Sequence, residues 1–374
     1  MKRFAFILIA ILFSASGCLP DTPTETETPL TQPPPADVTE TPEFELTEIQ
    51  LPAGYGAHAS WIDIYFTDPE SPLSPQETGG IDGPLEASID SARLTVDVAI
   101  YSMSLRSIRD ALIRAHERGV QVRVVMESDN MDRSAPQDLI EAGIPIVGDR
   151  RESLMHDKFV IIDRSEVWLG SMNFTYSGAY EDNNQLIHIR SVEMAENYTT
   201  EFEEMFIDDM FGDRVVPETP NPEVSIGDTS MEVYFSPDDG VADRISEILF
   251  NAEESIYFMA FSFTTDEFGE TIREQAENGL IVAGVMEEQQ VKSNIGTEYD
   301  FFKQAGLDVF LDGNEGQMHH KTMIVDGQIV ITGSYNFSRS AEIRNDENVV
   351  IFYNEKIADF FLGEFQRVYE LTQQ

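Results

Sequence analysis

Met155-His156-Asp157-Lys158-Phe159-Val160-Ile161-Ile162-Asp163, followed by Gly170-Ser171-Met172-Asn173-Phe174, is the stretch on which the fold turns. It recurs as Met318-His319-His320-Lys321-Thr322-Met323-Ile324-Val325-Asp326 with Gly333-Ser334-Tyr335-Asn336-Phe337, at a constant spacing of 163 residues. Of the 21 positions from Met155 to Thr175, ten are identical in the second copy: Met155, His156, Lys158, Ile161, Asp163, Val167, Gly170, Ser171, Asn173 and Phe174. Most of these are polar or glycine, whereas a duplication kept for packing alone would preserve the apolar positions best. The apolar centre of residues 156–163 predicts a buried strand. Side chains two apart on a strand share a face, so His156 and Lys158 point the same way. If the chain stays extended after Gly170, Ser171 and Asn173 share a face too. Each copy then presents an imidazole, an ammonium, a hydroxyl and an amide together. That set suits a phosphate: a nucleophile or acid, a point charge, and donors for the non-bridging oxygens.

Outward from the motifs, the chain reads as two similar halves. Each opens on a short strand, at residues 62–67 and 232–236, and continues through a helix to a strand at 94–102 and 256–262. In the first half Leu105, Ile108, Leu112 and Ala115 then sit at helical spacing, and Gly119 ends that helix as Gly279 ends its counterpart. Hydrophobic strands follow at 120–126 and 280–286, then a further helix before Gly143 and Gly306. Strands alternating with helices predict an α/β fold of two similar sandwich domains. A repeat of this length means duplicated domains rather than a solenoid. The expected boundaries are 58–215 for the first domain and 231–374 for the second, with Pro217, Pro220 and Pro222 marking a linker over 216–230.

The 374 residues carry 68 acidic and 24 basic side chains, a formal net charge of -44. Such a field repels nucleic acid and anionic membranes at long range. With only six lysines in the chain, double-stranded nucleic acid is a poor expectation as partner. Cys18 is the single cysteine, which excludes an intramolecular disulfide. Lys2 and Arg3 precede an apolar run from Phe4 to Phe13, and Ser14-Ala15-Ser16-Gly17 places small residues before Cys18. Residues 1–18 resemble a bacterial lipoprotein signal, with lipidation at Cys18, although Ala15 stands where leucine is usual. The mature protein is then expected outside the cytoplasm, anchored by lipid to a membrane of the cell envelope, or secreted if Cys18 is not acylated. Residues 19–57, rich in Pro, Thr and Glu, are expected to form an extended tether.

The pattern H-x-K-x4-D-x6-G-S-x-N, met twice and in full, resembles that of the phospholipase D superfamily over residues 60–370. The resemblance implies mixed sheets, a pseudo-twofold axis relating the two domains, and one active site made from both motifs. It implies catalytic positions at His156, Lys158, Asp163, His319, Lys321 and Asp326. One histidine would attack phosphorus and the other would protonate the leaving oxygen and then activate water, without metal or other cofactor. The first motif often supplies the attacker in that family, which favours His156, but the sequence does not decide between His156 and His319. Lys158, Lys321, Asn173 and Asn336 would bind phosphate, with Ser171 and Ser334 in support. Asp163 and Asp326 read as hydrogen-bond anchors at the strand ends. Glu347 stands where the family often has an acid orienting a histidine, and its counterpart at the same spacing is Asn184, an amide that stabilises imidazolium less. His320 should face away from the site. His58, His116 and His188 have no partner at ligand spacing, and no zinc, calcium or P-loop pattern occurs. Arg150 and Arg151, just before the first motif, fit either a solvated loop or a contact to a substrate headgroup.

Three function classes follow: a phospholipase D-type hydrolase of phosphatidyl lipids, a nuclease of the same superfamily, and a scaffold without activity. A phosphatidyltransferase of cardiolipin-synthase type is a variant of the first. Intact His and Lys in both motifs argue against the scaffold.

Overall fold

Two mixed β-sheets carry the two halves of the chain in a computed structural model that describes residues 44–373. The signal segment, Cys18 and most of the expected tether lie outside the described residues. Across the first sheet the strands run Thr47–Leu51, Gly54–His58, Ile62–Thr67, Gln185–Ile189, Glu166–Gly170, Lys158–Ile162, Thr95–Ile100, Gln121–Met126 and Ile146–Gly148. Across the second they run Glu223–Ile226, Thr229–Ser236, Glu347–Tyr353, Ile329–Gly333, Lys321–Val325, Ser255–Ala260, Ile281–Met286 and Asp308–Leu311. The last three strands of each order pair in parallel, and the other neighbours are antiparallel. Each motif strand therefore sits at the centre of its sheet, antiparallel to both neighbours. The runs Lys158–Ile162 and Lys321–Val325 are buried throughout because both faces of the sheets are covered.

Two expected boundaries need correction. The end of the presumed tether forms the hairpin Thr47–Leu51 and Gly54–His58, which extends the first sheet. Leu46, Ile49, Leu51 and Tyr55 pack on the core from among acidic neighbours, and their apolar pattern was hidden by the composition. Likewise the linker holds the strand Glu223–Ile226, which turns at Gly227 into Thr229–Ser236.

Packing joins the halves. One core cluster belongs to the outer face of the first half, including Ile108, Leu112 and Val160. Another belongs to the second, including Ile245, Ile272 and Met323. The third is shared. Tyr198 and Phe202 from helix Val192–Phe206, and Phe361 and Phe365 from helix Glu355–Leu371, pack with Phe159, Leu169, Ile324 and Val330 of both sheets. The apolar residues of these helices recur at three- and four-residue spacing, so each buries one stripe.

The motif aspartates set the strand ends. Asp163 and Asp326 adopt φ of 52° and 54°, in the left-handed region. The Asp163 carboxylate accepts the backbone N–H groups of Arg93, Leu94 and Thr95 at 2.7–3.1 Å. Asp326 accepts those of Glu253, Glu254 and Ser255 in the same way. They anchor the far end of the motif strands, so their place among the expected catalytic positions is corrected to a structural one.

Candidate active site

The other end of each motif strand reaches the seam between the halves. His156 donates its backbone N–H to the Asp346 carbonyl at 3.0 Å, and His319 donates to the Asn183 carbonyl at 2.9 Å. Each motif thus begins as a bridge to the opposite half. The side chains repeat the exchange. Nδ1 of His156 lies 2.6 Å from Oε2 of Glu347, and Nδ1 of His319 lies 2.8 Å from Oδ1 of Asn184. Glu347 was expected as a support, and it is fully buried in that role. An acceptor on Nδ1 fixes the tautomer and leaves the Nε2 lone pair of each neutral ring free.

Ser334 donates to Glu347 Oε2 at 2.8 Å, and Ser171 donates to Asn184 Oδ1 at 2.8 Å. The serines therefore hold the two groups that hold the imidazoles. The preceding glycines allow this. Gly170 and Gly333 have φ of 155° and 156°, and a Cβ there would lie 2.3 Å from the Gln185 carbonyl oxygen and 2.1 Å from that of Asn348. No side chain fits in that gap, so the glycine before each motif serine is a steric requirement.

Lys158 donates Nζ to the His156 carbonyl, and Lys321 donates to that of His319 at 2.9 Å. Both ammoniums sit over aromatic rings: Lys158 at 5.5 Å from the Tyr101 centroid and Lys321 at 4.6 Å from that of Phe261. The same rings meet the imidazoles edge-on, Tyr101 against His156 at 5.1 Å and Phe261 against His319 at 4.6 Å. Tyr101 and Phe261 were missed in the sequence. So were Glu127 and Glu287, which accept the backbone N–H of Met155 at 3.0 Å and of Met318 at 2.8 Å. The signal was present: the spacing of 160 residues that relates Gly119 to Gly279 relates both of these pairs as well.

In both halves Oδ1 of the motif asparagine, Asn173 or Asn336, is buried without a protein partner. Turning either amide over would put its N–H2 there, so this position can offer donors to a substrate oxygen. Asp157 and His320, between the His and Lys of each motif, face away. Asp157 accepts from Asn348 Nδ2 at 2.7 Å, and His320 contacts Gln185 at 2.6 Å and Glu364 at 2.7 Å. His188 and His58 meet Asp63 farther along the first sheet, where Ile62–Thr67 pairs with Gln185–Ile189.

The electrostatics join the four basic groups into one site. Burial, and then the charges of Lys321, Lys158 and His156, hold the His319 imidazole well below its usual range. Burial lowers His156 to about 4, opposed by Glu347 and aided by Lys158 and Lys321. Burial lowers Lys158 to about 8, and burial and then Lys158 push Lys321 well down. For Glu347 burial works upward, but His156, Lys158 and Ser334 outweigh it and keep the carboxylate ionised. The site is short of negative charge. An arriving phosphate anion would supply it and raise the pKa of each of these four groups. Among the described residues, no group of three or more His, Cys, Asp or Glu side chains is arranged to hold a metal ion.

Two α/β halves that exchange the supports of a doubled His-x-Lys motif define a member of the phospholipase D superfamily. The chain belongs to the family described as cardiolipin synthase, PLD-like domain, which matches twice, over residues 85–206 and 245–369. It is 31% identical over 134 residues to a phospholipase D of Rickettsia prowazekii, covering 36% of this chain and 65% of that protein. It is 29% identical over 128 residues to the mitochondrial cardiolipin hydrolase of Chlamydomonas reinhardtii, covering 34% of this chain and 57% of that one. The chain therefore spans between half and two thirds of these relatives' length. Its fold resembles phosphatidylserine synthase from Haemophilus influenzae, with a TM-score of 0.57 at 14% identity over 78% of this chain and 83% of that one.

Proposed function

We propose that this protein is a phosphodiesterase that hydrolyses phosphatidyl lipids through a covalent phosphohistidine. The observation that carries the reading is the reciprocal support of the two imidazoles: His156 leans on Glu347 of the second half, and His319 on Asn184 of the first. In the first step Nε2 of His156 bonds to phosphorus as the bond to the leaving oxygen breaks, and His319 gives that oxygen its proton. In the second, His319 takes a proton from water, whose oxygen bonds to phosphorus as the phosphorus–nitrogen bond breaks. Lys158, Lys321 and the amides of Asn173 and Asn336 hold the non-bridging oxygens. His319 must be protonated for the first step, and the bound phosphate raises its pKa to allow it.

Lipid is favoured over nucleic acid by charge. A net charge of -44 with six lysines offers no run of cations to neutralise successive phosphates. The resemblance of residues 1–18 to a lipoprotein signal adds a membrane-anchored, extracytoplasmic site of action to the proposal.

The test is hydrolysis of phosphatidylcholine, phosphatidylglycerol, cardiolipin, and single- and double-stranded DNA by the mature protein with excess chelator. Headgroup release without DNA cleavage is expected. Cleavage of DNA alone would overturn the lipid reading, and activity abolished by chelation would overturn the metal-free chemistry.

A further inference from the structure

His320 lies between the histidine and the lysine of the second motif, fully buried and turned away from the phosphate side. Its ring is held at both ends. Nε2 lies 2.7 Å from Oε1 of Glu364, and Nδ1 lies 2.6 Å from the Oε1 position of Gln185. Gln185 directly follows Asn184, the partner of His319. Ser171 touches both, with Oγ 2.8 Å from Asn184 Oδ1 and 2.7 Å from the same Gln185 position. A hydroxyl has one proton to give.

The surrounding donors decide where it goes. Glu364 accepts Nε and Nη2 of Arg367 at 2.8 Å, and the hydroxyl of Tyr55 from the N-terminal hairpin. Burial works upward on Glu364, but Arg367 and His320 outweigh it and hold its pKa at about 2. The His320 nitrogen that faces this carboxylate, Nε2, therefore carries the proton. Burial, against the pull of Glu364, holds the imidazole below its usual range. A neutral ring leaves a lone pair on Nδ1, which needs a donor. Turning the Gln185 amide over supplies one, since the two ends of an amide are told apart by their partners. Its N–H2 then serves His320 Nδ1 and Ser171 Oγ, and its oxygen accepts the Thr332 hydroxyl at 2.6 Å. Ser171 Oγ also accepts the Gln185 backbone N–H at 3.2 Å, so its own proton is left for Asn184.

The first half has the same arrangement with no amide turned. At the 163-residue spacing His320, Gln185, Ser171 and Asn184 correspond to Asp157, Asn348, Ser334 and Glu347. Asn348 Nδ2 donates to Asp157 Oδ1 at 2.7 Å and faces Ser334 Oγ at 3.4 Å, while Asn348 Oδ1 accepts the Tyr198 hydroxyl at 3.3 Å. Ser334 is left to donate to Glu347.

We propose that His320 is a positioning residue for the general acid: it orients Gln185, which commits the Ser171 proton to Asn184 and so keeps the Asn184 oxygen toward Nδ1 of His319. The Gly178 carbonyl, which accepts Asn184 Nδ2 at 2.9 Å, holds the same orientation from the other end. An oxygen at Nδ1 lets His319 carry protons on both nitrogens, as the acid must. With the amide reversed, an N–H2 would face the Nδ1 proton and oppose that charge. The kinetic part of the inference rests on the phosphodiesterase reading above, and the His320 tautomer does not.

Two measurements test it. Nitrogen NMR of the histidine-labelled protein at neutral pH, with His320→Asn to assign the signals, should find His320 protonated on Nε2 alone. A proton on Nδ1 would overturn the proposal. The second measurement sets a substrate that needs an acid against one that does not. It compares kcat on phosphatidylcholine and phosphatidylglycerol in neutral detergent micelles with first-turnover release of nitrophenolate from bis(p-nitrophenyl) phosphate. His320→Leu, which fills the space without a hydrogen bond, should lower the ratio of lipid to nitrophenyl rate about tenfold, a part of what general acid catalysis contributes. His320→Asn, whose amide oxygen falls where Nδ1 stood, should restore most of that ratio. An equal fall in both rates, or no difference between leucine and asparagine, would show that His320 only fills the core and would overturn the proposal. Should His320→Leu fail to fold, the NMR of the unaltered protein still decides. No turnover of any diester by the unaltered protein would overturn the phosphodiesterase reading and leave the tautomer to be judged by itself.

Discussion

The two motif histidines share a backbone setting but not a partner. On the proposed reaction, the phosphorylated ring becomes a cation and needs a compensating anion beside it. Glu347, ionised at 2.6 Å from His156, supplies one, whereas Asn184 beside His319 offers only a dipole. On that proposal the carboxylate favours His156 as the attacking ring and His319 as the carrier of the proton. The roles separate in a burst experiment with bis(p-nitrophenyl) phosphate, whose leaving group departs without protonation. His319→Asn should release about one equivalent of nitrophenolate per site and leave the phosphoryl group on His156. On lipid the same variant should lose about 10²–10⁴-fold in rate, the worth of general acid catalysis. His156→Asn should give neither burst nor adduct. An adduct in His156→Asn and none in His319→Asn would reverse the assignment.

At the scale of elements, what repeats was legible and what differs between the halves was harder to see. The strands, the glycine stops and the shared faces of His156 with Lys158 follow from period and spacing, because local geometry fixes them. The hairpin Thr47–Leu51 and Gly54–His58 was hidden in an acidic composition, and its stability comes from pairing with Ile62–Thr67, a contact no local pattern reveals. Tyr101 and Glu127 look like ordinary residues until the fold brings them under the motif. Asp163 is the reverse case, a motif residue that the structure places away from the chemistry. Asp163→Ala removes the acceptor for three backbone N–H groups and puts alanine at φ of 52°. A stability loss of about 1–3 kcal/mol is expected, seen as a lower urea midpoint. The kcat per folded molecule should hold. A collapse of kcat in the folded variant would return Asp163 to the catalytic set.

Across the whole molecule the same broken symmetry recurs behind the site. In the second half His320, Glu364 and Arg367 form a neutralised buried group, with Arg367 Nε donating to Glu364 at 2.8 Å. At the motif spacing their counterparts are Asp157, Glu201 and Glu204, three acids with no cation in place of Arg367. Burial is the main cause that pushes Asp157 and Glu204 up to about 7 and Glu201 well above its usual range. Glu287 is likewise raised to about 7, by burial and then Asp312. These groups hold protons in the folded state that the unfolded chain releases near pH 4. A raised carboxylate pKa gives stability that is present at low pH and lost as pH rises through about 7. The buried histidines act in the opposite sense, but only below about 6.5, where the unfolded rings begin to charge. Lys158, lowered to about 8, opposes chiefly above that value, and Lys321, pushed down by burial and then Lys158, opposes the carboxylates in the same sense. Between pH 6.5 and 7.5 the carboxylates dominate, and the melting temperature at fixed ionic strength should fall by a few degrees as pH rises across that window. Glu201→Gln, which removes one of the titrating groups without altering the motif, should flatten the slope. A melting temperature that stays level or climbs over this interval would show that the acids behind His156 are ionised in the folded protein, and that some cation neutralises them as Arg367 does in the other half.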